Sequence, residues 1–198
     1  MRWDRLFDDL EGQLERELSA EELDLKADEE RLRIGRLAVR DRLIAVHDRG
    51  PESQRTVALV LTTGEHLAVR PSTFGRDWFV AELAEEQRRT QCVVPIAGIA
   101  AVLLTRSQIE SSLEPVDDAQ HERSLSARLT LPFVLRDLCR RRAALDLHTA
   151  VGDVHGTIDR VGRDHLDIAV HEPGKPRRSS SVTQYRIVPL GQLLLVRL

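Results

Sequence analysis

The chain has 198 residues, enough for one large or two small domains, and 41% of them are apolar, enough for a buried core. Acidic and basic side chains nearly balance, 32 against 29, for a net charge of −3. That balance argues against a generic electrostatic nucleic-acid binder, which is usually basic overall, while leaving room for a local basic patch.

The first residues, Met1-Arg2-Trp3-Asp4, carry no apolar signal core, and no apolar run approaches the roughly 20 residues of a membrane span. The expectation is a cytoplasmic protein with no membrane partner. Cys92 and Cys139 lie far apart and form no CxxC pair, which suits two reduced thiols.

Residues 3 to about 47 read as helix. Trp3, Leu6, Phe7, Leu10, Leu14 and Leu18 recur at spacings of three and four, with Asp4, Asp8, Asp9, Glu11, Glu15 and Glu17 between them. This is an apolar stripe with an acidic opposite face. Packed on the rest of the chain it is ordinary core; protruding, it makes Trp3, Phe7 and Leu10 anchors of a protein interface. Ser19 with Glu22 is a capping-box spacing, so a second helix can start there and carry Leu32, Val39, Leu43 and Val46 on one face.

Beyond Pro51 the chain repeats itself. Phe74-Gly75-Arg76-Asp77-Trp78-Phe79-Val80-Ala81 aligns with Val161-Gly162-Arg163-Asp164-His165-Leu166-Asp167-Ile168. Val93-Val94-Pro95-Ile96 aligns with Ile187-Val188-Pro189-Leu190, and each copy then ends in a short apolar run. Upstream, Val57–Gly64 matches Ala144–Gly152 with one insertion. Arg40-Asp41 has a counterpart in Arg136-Asp137, on an apolar-rich helix near 123–142. The unit is therefore a helix followed by about five strands. Gly64 and Gly152 suit the turn after the first strand; Gly75 and Gly162 suit a bend or reversal. Period-two alternation places Val154, Gly156 and Ile158 on one face and His155 and Thr157 on the other. The expected organisation is a helical region over 1–47, a first strand unit over 48–106, a linker and helix over 107–142, and a second strand unit over 143–198.

The segments Gly152-Asp153-Val154-His155-Gly156-Thr157-Ile158, Val161–Ile168 and Ile187-Val188-Pro189-Leu190 resemble the Sm-like group of SH3-type β-barrels, the LSm and bacterial host-factor-like proteins. The tandem layout is similar to that of uncharacterised actinobacterial proteins of about this length. The resemblance implies an α+β fold, with an N-terminal helix followed by two small five-stranded barrels, each preceded by a helix. It also implies RNA binding, with Arg163 and His165 beside the bend among the contacts. Asp164 stands where that family carries an Asp. Asp167 stands near the family's base-contacting Asn, and Val188-Pro189 replaces its Arg-Gly.

The loop 171–181 is rich in Pro, Gly and Ser, and its Lys175, Arg177 and Arg178 form a basic patch. Arg88 and Arg89 are a smaller counterpart in the first copy. Both sets suit phosphate contacts, or are solvated loop residues. His148, His155 and His165 show no metal-ligand spacing. No P-loop, GxSxG elbow or recognisable Cys/His nucleophile pairing is present, so neither catalysis nor a cofactor is expected. Two functions stay open. One is a non-enzymatic nucleic-acid-binding protein, with RNA as the expected ligand. The other is a protein-interaction adaptor or oligomeric scaffold that uses the acidic helix and the barrel edges, with a homo-oligomer expected.

Overall fold

The computed structural model describes residues 22–84, 90–115, 125–174 and 177–198. The chain divides into two units, Met1–Ala38 and Val39–Leu198. In the first, residues 22–36 form a helix (α1), supported along its length by Arg31–Asp28 and Arg33–Glu30 pairs one turn apart. The helix stops before Leu37, so the stripe expected from Leu32 through Val46 is not continuous. Trp3, Phe7, Leu10 and Ser19 lie outside the described residues.

The second unit opens with α2 (Val39–Arg49), which buries Leu43, Ile44, Ala45 and Val46. Five strands follow: β1 (Val57–Leu61), β2 (His66–Phe74), β3 (Trp78–Leu83), β4 (Gln91–Pro95) and β5 (Ile99–Leu103). Then come α3 (Arg106–Leu113), α4 (Leu125–Arg128) and α5 (Leu131–Arg140). Five more strands close the chain: β6 (Ala144–Thr149), β7 (Gly152–Val161), β8 (His165–Val170), β9 (Gln184–Pro189) and β10 (Leu193–Arg197).

The chain is α+β, but the expected pair of five-stranded barrels is not what forms. All ten strands belong to one antiparallel sheet in the order β5-β1-β2-β3-β4-β10-β6-β7-β8-β9. The joint is β10. It pairs with β6 of its own half and also with β4 of the other half, through Val196↔Val93 and Arg197↔Cys92. A third bond extends this joint, from the Leu198 N–H to the Gln91 carbonyl at 3.0 Å. A strand bonded on both sides cannot end a unit, so the halves merge.

The repeat survives in detail. Each half reads last-first-second-third-fourth in strand order. The register slips at Pro71/Thr73 between β2 and β3, and at the matching Ile158/Arg160 between β7 and β8. Such bulges bend a strand at the same place in each half. Asp77 and Asp164 carbonyls accept from Ile96 and Leu190, and Gly98 and Gln192 carbonyls accept from Thr62 and Ala150. Arg40 Nε donates to the Gly75 carbonyl at 2.6 Å, and an Arg136 guanidinium N–H donates to the Gly162 carbonyl at 3.2 Å. Gly75 and Gly162 each sit against a ring three residues on. A Cβ on Gly75 falls 2.2 Å from the Trp78 ring, and one on Gly162 falls 2.6 Å from the His165 ring.

Two cores cross the joint. Leu195, from the second half, is buried among Leu59, Phe79, Leu43 and Val94 of the first. Trp78 and Val93, from the first half, are buried with Leu131, Leu135, Ile158 and Leu166 of the second. The linker is fixed at the same place. The Arg76 N–H and Trp78 Nε1 both donate to the Leu129 carbonyl at 2.9 Å. Thr130 makes no side-chain cap on α5. Asp77 Oδ1 instead accepts the Leu131 N–H at 2.8 Å, capping that helix from another strand. The alternation expected in β7 holds for Val154, Gly156 and Ile158, but Thr157 is buried too, bonded to His171 Nε2 at 3.0 Å.

Candidate functional site: two open sheet edges and an arginine cleft

Antiparallel order leaves β5 and β9 at the ends of the sheet, each bonded on one side only among the described residues. Natural edges are usually blunted by charge, proline or a covering element, because unpaired N–H and C=O groups template further pairing. Here the edges carry apolar side chains. On β9, Ile187 is 72% and Tyr185 62% exposed; on β5, Leu103 is 45% exposed. Arg186 lies between Tyr185 and Ile187, and Pro189 ends the strand. A groove of about 380 Å³ runs along β9, walled by Tyr185, Ile187, Val154, Val151 and Gln192.

The same positions in the first half are covered. Val93, the counterpart of Ile187, is 1% exposed, and Cys92, the counterpart of Arg186, is fully buried. What covers them is β10. The two β-ends of the repeat are thus in different states, one satisfied within the chain and one open.

The second feature is a cleft of about 340 Å³ lined by Arg40, Arg76, Arg128 and Ala127. α2 supplies Arg40, the β2–β3 turn Arg76, and the last turn of α4 Arg128. Arg40 also pairs with Asp41 at 3.4 Å. Arg76 and Arg128 are exposed, with no carboxylate partner among the described residues.

The basic residues singled out from the sequence are scattered. Arg88, Arg89 and Lys175 lie outside the described residues. Arg177 donates to Asp159 Oδ2 at 2.5 Å, and that bond raises its pKa further. Its charge is already matched by a carboxylate that Arg142 also approaches, at 3.5 Å. Arg178 is exposed, its N–H donating to Ser181 Oγ at 2.9 Å. Arg163 is exposed on the β7–β8 turn. His165 bonds Asp164 Oδ1 at 2.8 Å, and this bond holds the Asp164 carboxyl below its usual pKa. Arg163 is not among the residues that line the cleft of Arg40, Arg76 and Arg128.

The other histidines are tied into the sheet. His148 Nε2 meets Glu65 Oε2 at 2.8 Å across the joint, and its Nδ1 meets Asp153. His155 bonds Asp146 at 2.7 Å and stands edge-on to His171, with ring centres 5.2 Å apart. Among the described residues no group of three or more His, Cys, Asp or Glu side chains is placed to hold a metal ion. Nor is any helix among them long and apolar enough to cross a membrane. Cys92 and Cys139 are not joined in a disulfide.

Sequence reasoning named barrel edges as a surface without assigning their strands or residues, and it missed the cleft. The edge signal was present in the repeat: Gln91-Cys92-Val93-Val94-Pro95 becomes Tyr185-Arg186-Ile187-Val188-Pro189, with a charge where the first copy has a buried thiol. The cleft had no local signal, since its arginines are distant in sequence. Compared with known family models, curated proteins and solved structures, the chain has no match.

Proposed function

We propose that this protein is a non-enzymatic interaction module, an adaptor or oligomeric scaffold, whose working surfaces are the two open edges of its sheet. The observation that carries this reading is the exposure of Tyr185 and Ile187 on a strand with no strand beyond it among the described residues. Strand addition supplies main-chain bonds for affinity, and alternate side chains supply specificity. A cytoplasmic setting is consistent with Cys92 and Cys139 not being joined in a disulfide. The test is Tyr185→Lys with Ile187→Lys, which puts like charges on the outer strand while leaving the β8 pairing intact. Bound protein, whether self or another chain, should be lost at unchanged thermal stability. Undiminished binding by this variant overturns the reading.

The cleft of Arg40, Arg76 and Arg128 favours a second reading, RNA binding in the manner that the Sm resemblance implies, since arginine forks suit phosphate. Arg76→Ala with Arg128→Ala should then weaken binding of a single-stranded RNA and flatten its salt dependence by about two phosphate contacts. An unchanged salt slope removes the cleft from that role.

A further inference from the structure

Three arginines, like charges that repel one another, share the cleft of about 340 Å³. Two hydrogen bonds lace them together. Arg40 Nε donates to the Gly75 carbonyl at 2.6 Å, and Gly75 is joined to Arg76. The Arg76 N–H donates to the Leu129 carbonyl at 2.9 Å, and Leu129 is joined to Arg128. The Arg40 guanidinium is thus fixed against the turn that carries Arg76, and that turn is fixed against the linker that carries Arg128. The carboxylates nearby leave charge uncovered. Asp41 pairs with Arg40 at 3.4 Å. Asp77 turns Oδ1 to the Leu131 N–H, at the positive end of α5. Arg76 and Arg128 are exposed and have no carboxylate partner among the described residues.

We infer that this cleft binds a small phosphomonoester, a molecule that ends in a doubly charged phosphoryl group. This goes beyond both readings above, since the ligand is neither a strand nor a nucleic acid. The charge count carries it. Two unmatched guanidiniums call for an anion of two charges. A monoester phosphoryl group carries about −1.5 to −2 at pH 7, whereas each diester link of a nucleic-acid backbone carries about −1. The three terminal oxygens of a monoester also accept from more than one guanidinium fork. The volume fits as well, at the lower end of the roughly 300–1,000 Å³ of small-ligand sites. A nucleic-acid strand needs further cations along its path. Among the described residues Arg177 is matched by Asp159 instead, and Arg163 and Arg178 do not line the cleft.

The position of the cleft says what occupancy does. The second half repeats the first two arginines as Arg136 and Arg163, with an Arg136 N–H on the Gly162 carbonyl at 3.2 Å. The third arginine of the cleft comes from α4, between the two sets of strands. A bound phosphoryl group therefore bridges α2 and the β2–β3 turn of the first half to the linker. The same turn already holds the linker through Leu129 and caps α5 through Asp77. Binding adds a third tie at that place, so the ligand stabilises the link on which the second half is mounted.

The probes are methyl phosphate, dimethyl phosphate and a single-stranded RNA without terminal phosphates, each titrated calorimetrically into the full chain. Methyl phosphate should bind, and dimethyl phosphate should bind at least about tenfold more weakly, having lost one charge and one acceptor oxygen. Methyl phosphate affinity should fall as pH drops through about 6, where the monoester takes up its second proton. At about a hundredfold excess over Kd it should raise Tm by about 5–10 °C. Arg76→Lys with Arg128→Lys keeps the charge but loses the forks, and should weaken binding about tenfold. Arg76→Ala with Arg128→Ala should abolish it. Arg106→Ala, exposed on α3 and absent from the lining of the cleft, should leave it unchanged. Equal affinity for the two esters, or methyl phosphate binding that survives in the alanine pair, overturns the inference. RNA binding that the alanine pair loses, with no binding of methyl phosphate, overturns it too and leaves the nucleic-acid reading standing. Methyl phosphate binding without RNA binding removes that reading instead. If neither binds, both fall.

Discussion

Leu195→Ala tests whether the two repeats form one cooperative body. Leu195 belongs to the second half by sequence, yet it is 1% exposed within the core built on the first half. The change removes three carbons, about 2.4 kcal/mol of transfer free energy at roughly 0.8 kcal/mol each. A strand bonded on both sides collapses poorly around the void, so a cavity contribution raises the total to about 3–4 kcal/mol. For a body of this size that lowers Tm by about 7–14 °C. The assay is urea and thermal unfolding, followed by far-UV circular dichroism and by Trp78 fluorescence in a Trp3→Phe background. Trp78 is a suitable reporter because it sits in the other core, the one built on the second half. Both signals should move together in a single transition. Two transitions with the Trp78 signal unmoved, or a loss under about 1 kcal/mol, would show that the halves unfold independently and that β10 is not a structural joint.

Gly75→Ala should cost about 1–3 kcal/mol, because the new Cβ overlaps a buried Trp78 ring, whereas Gly162→Ala should cost much less, because the half-exposed His165 ring can swing away. Equal losses in chemical denaturation would contradict this. Asp77→Ala removes the acceptor for the first N–H of α5 and should cost about 0.5–2 kcal/mol, with Asp77→Asn recovering most of it. If Asn and Ala behave alike, the cap is not the source. His47 is half-buried beside Phe74, and burial lowers its pKa, with Asp48 opposing. The unfolded chain therefore binds the extra proton first, below about pH 6.5. Stability from this residue is present above that pH and is lost as pH falls toward the depressed folded value. His47→Gln should flatten the slope of unfolding free energy between pH 7 and 5, and an unaltered slope would assign it to other groups.

Pattern and repetition determined much by themselves. The period-two runs, the glycine turns and the helix–strand order follow from local steric and hydrophobic rules, so they are legible in residues such as Gly75, Gly162 and Val154. The pairing of Arg40 with Gly75 and of Arg136 with Gly162 was foreshadowed by the repeated Arg-Asp. The local sequence could not reveal which strand bonds to which, because main-chain hydrogen bonds carry no side-chain signature. One clue was present: Leu193-Leu194-Leu195-Val196 is apolar on both faces, as a central strand is, while Ile99-Ala100-Ala101-Val102 is thinner. Only the tertiary structure decided that β10 bridges both halves, that Arg177 is matched by Asp159, and that Arg40, Arg76 and Arg128 share a cleft. Each of these depends on contacts between residues far apart in the chain, which alternation and spacing do not encode.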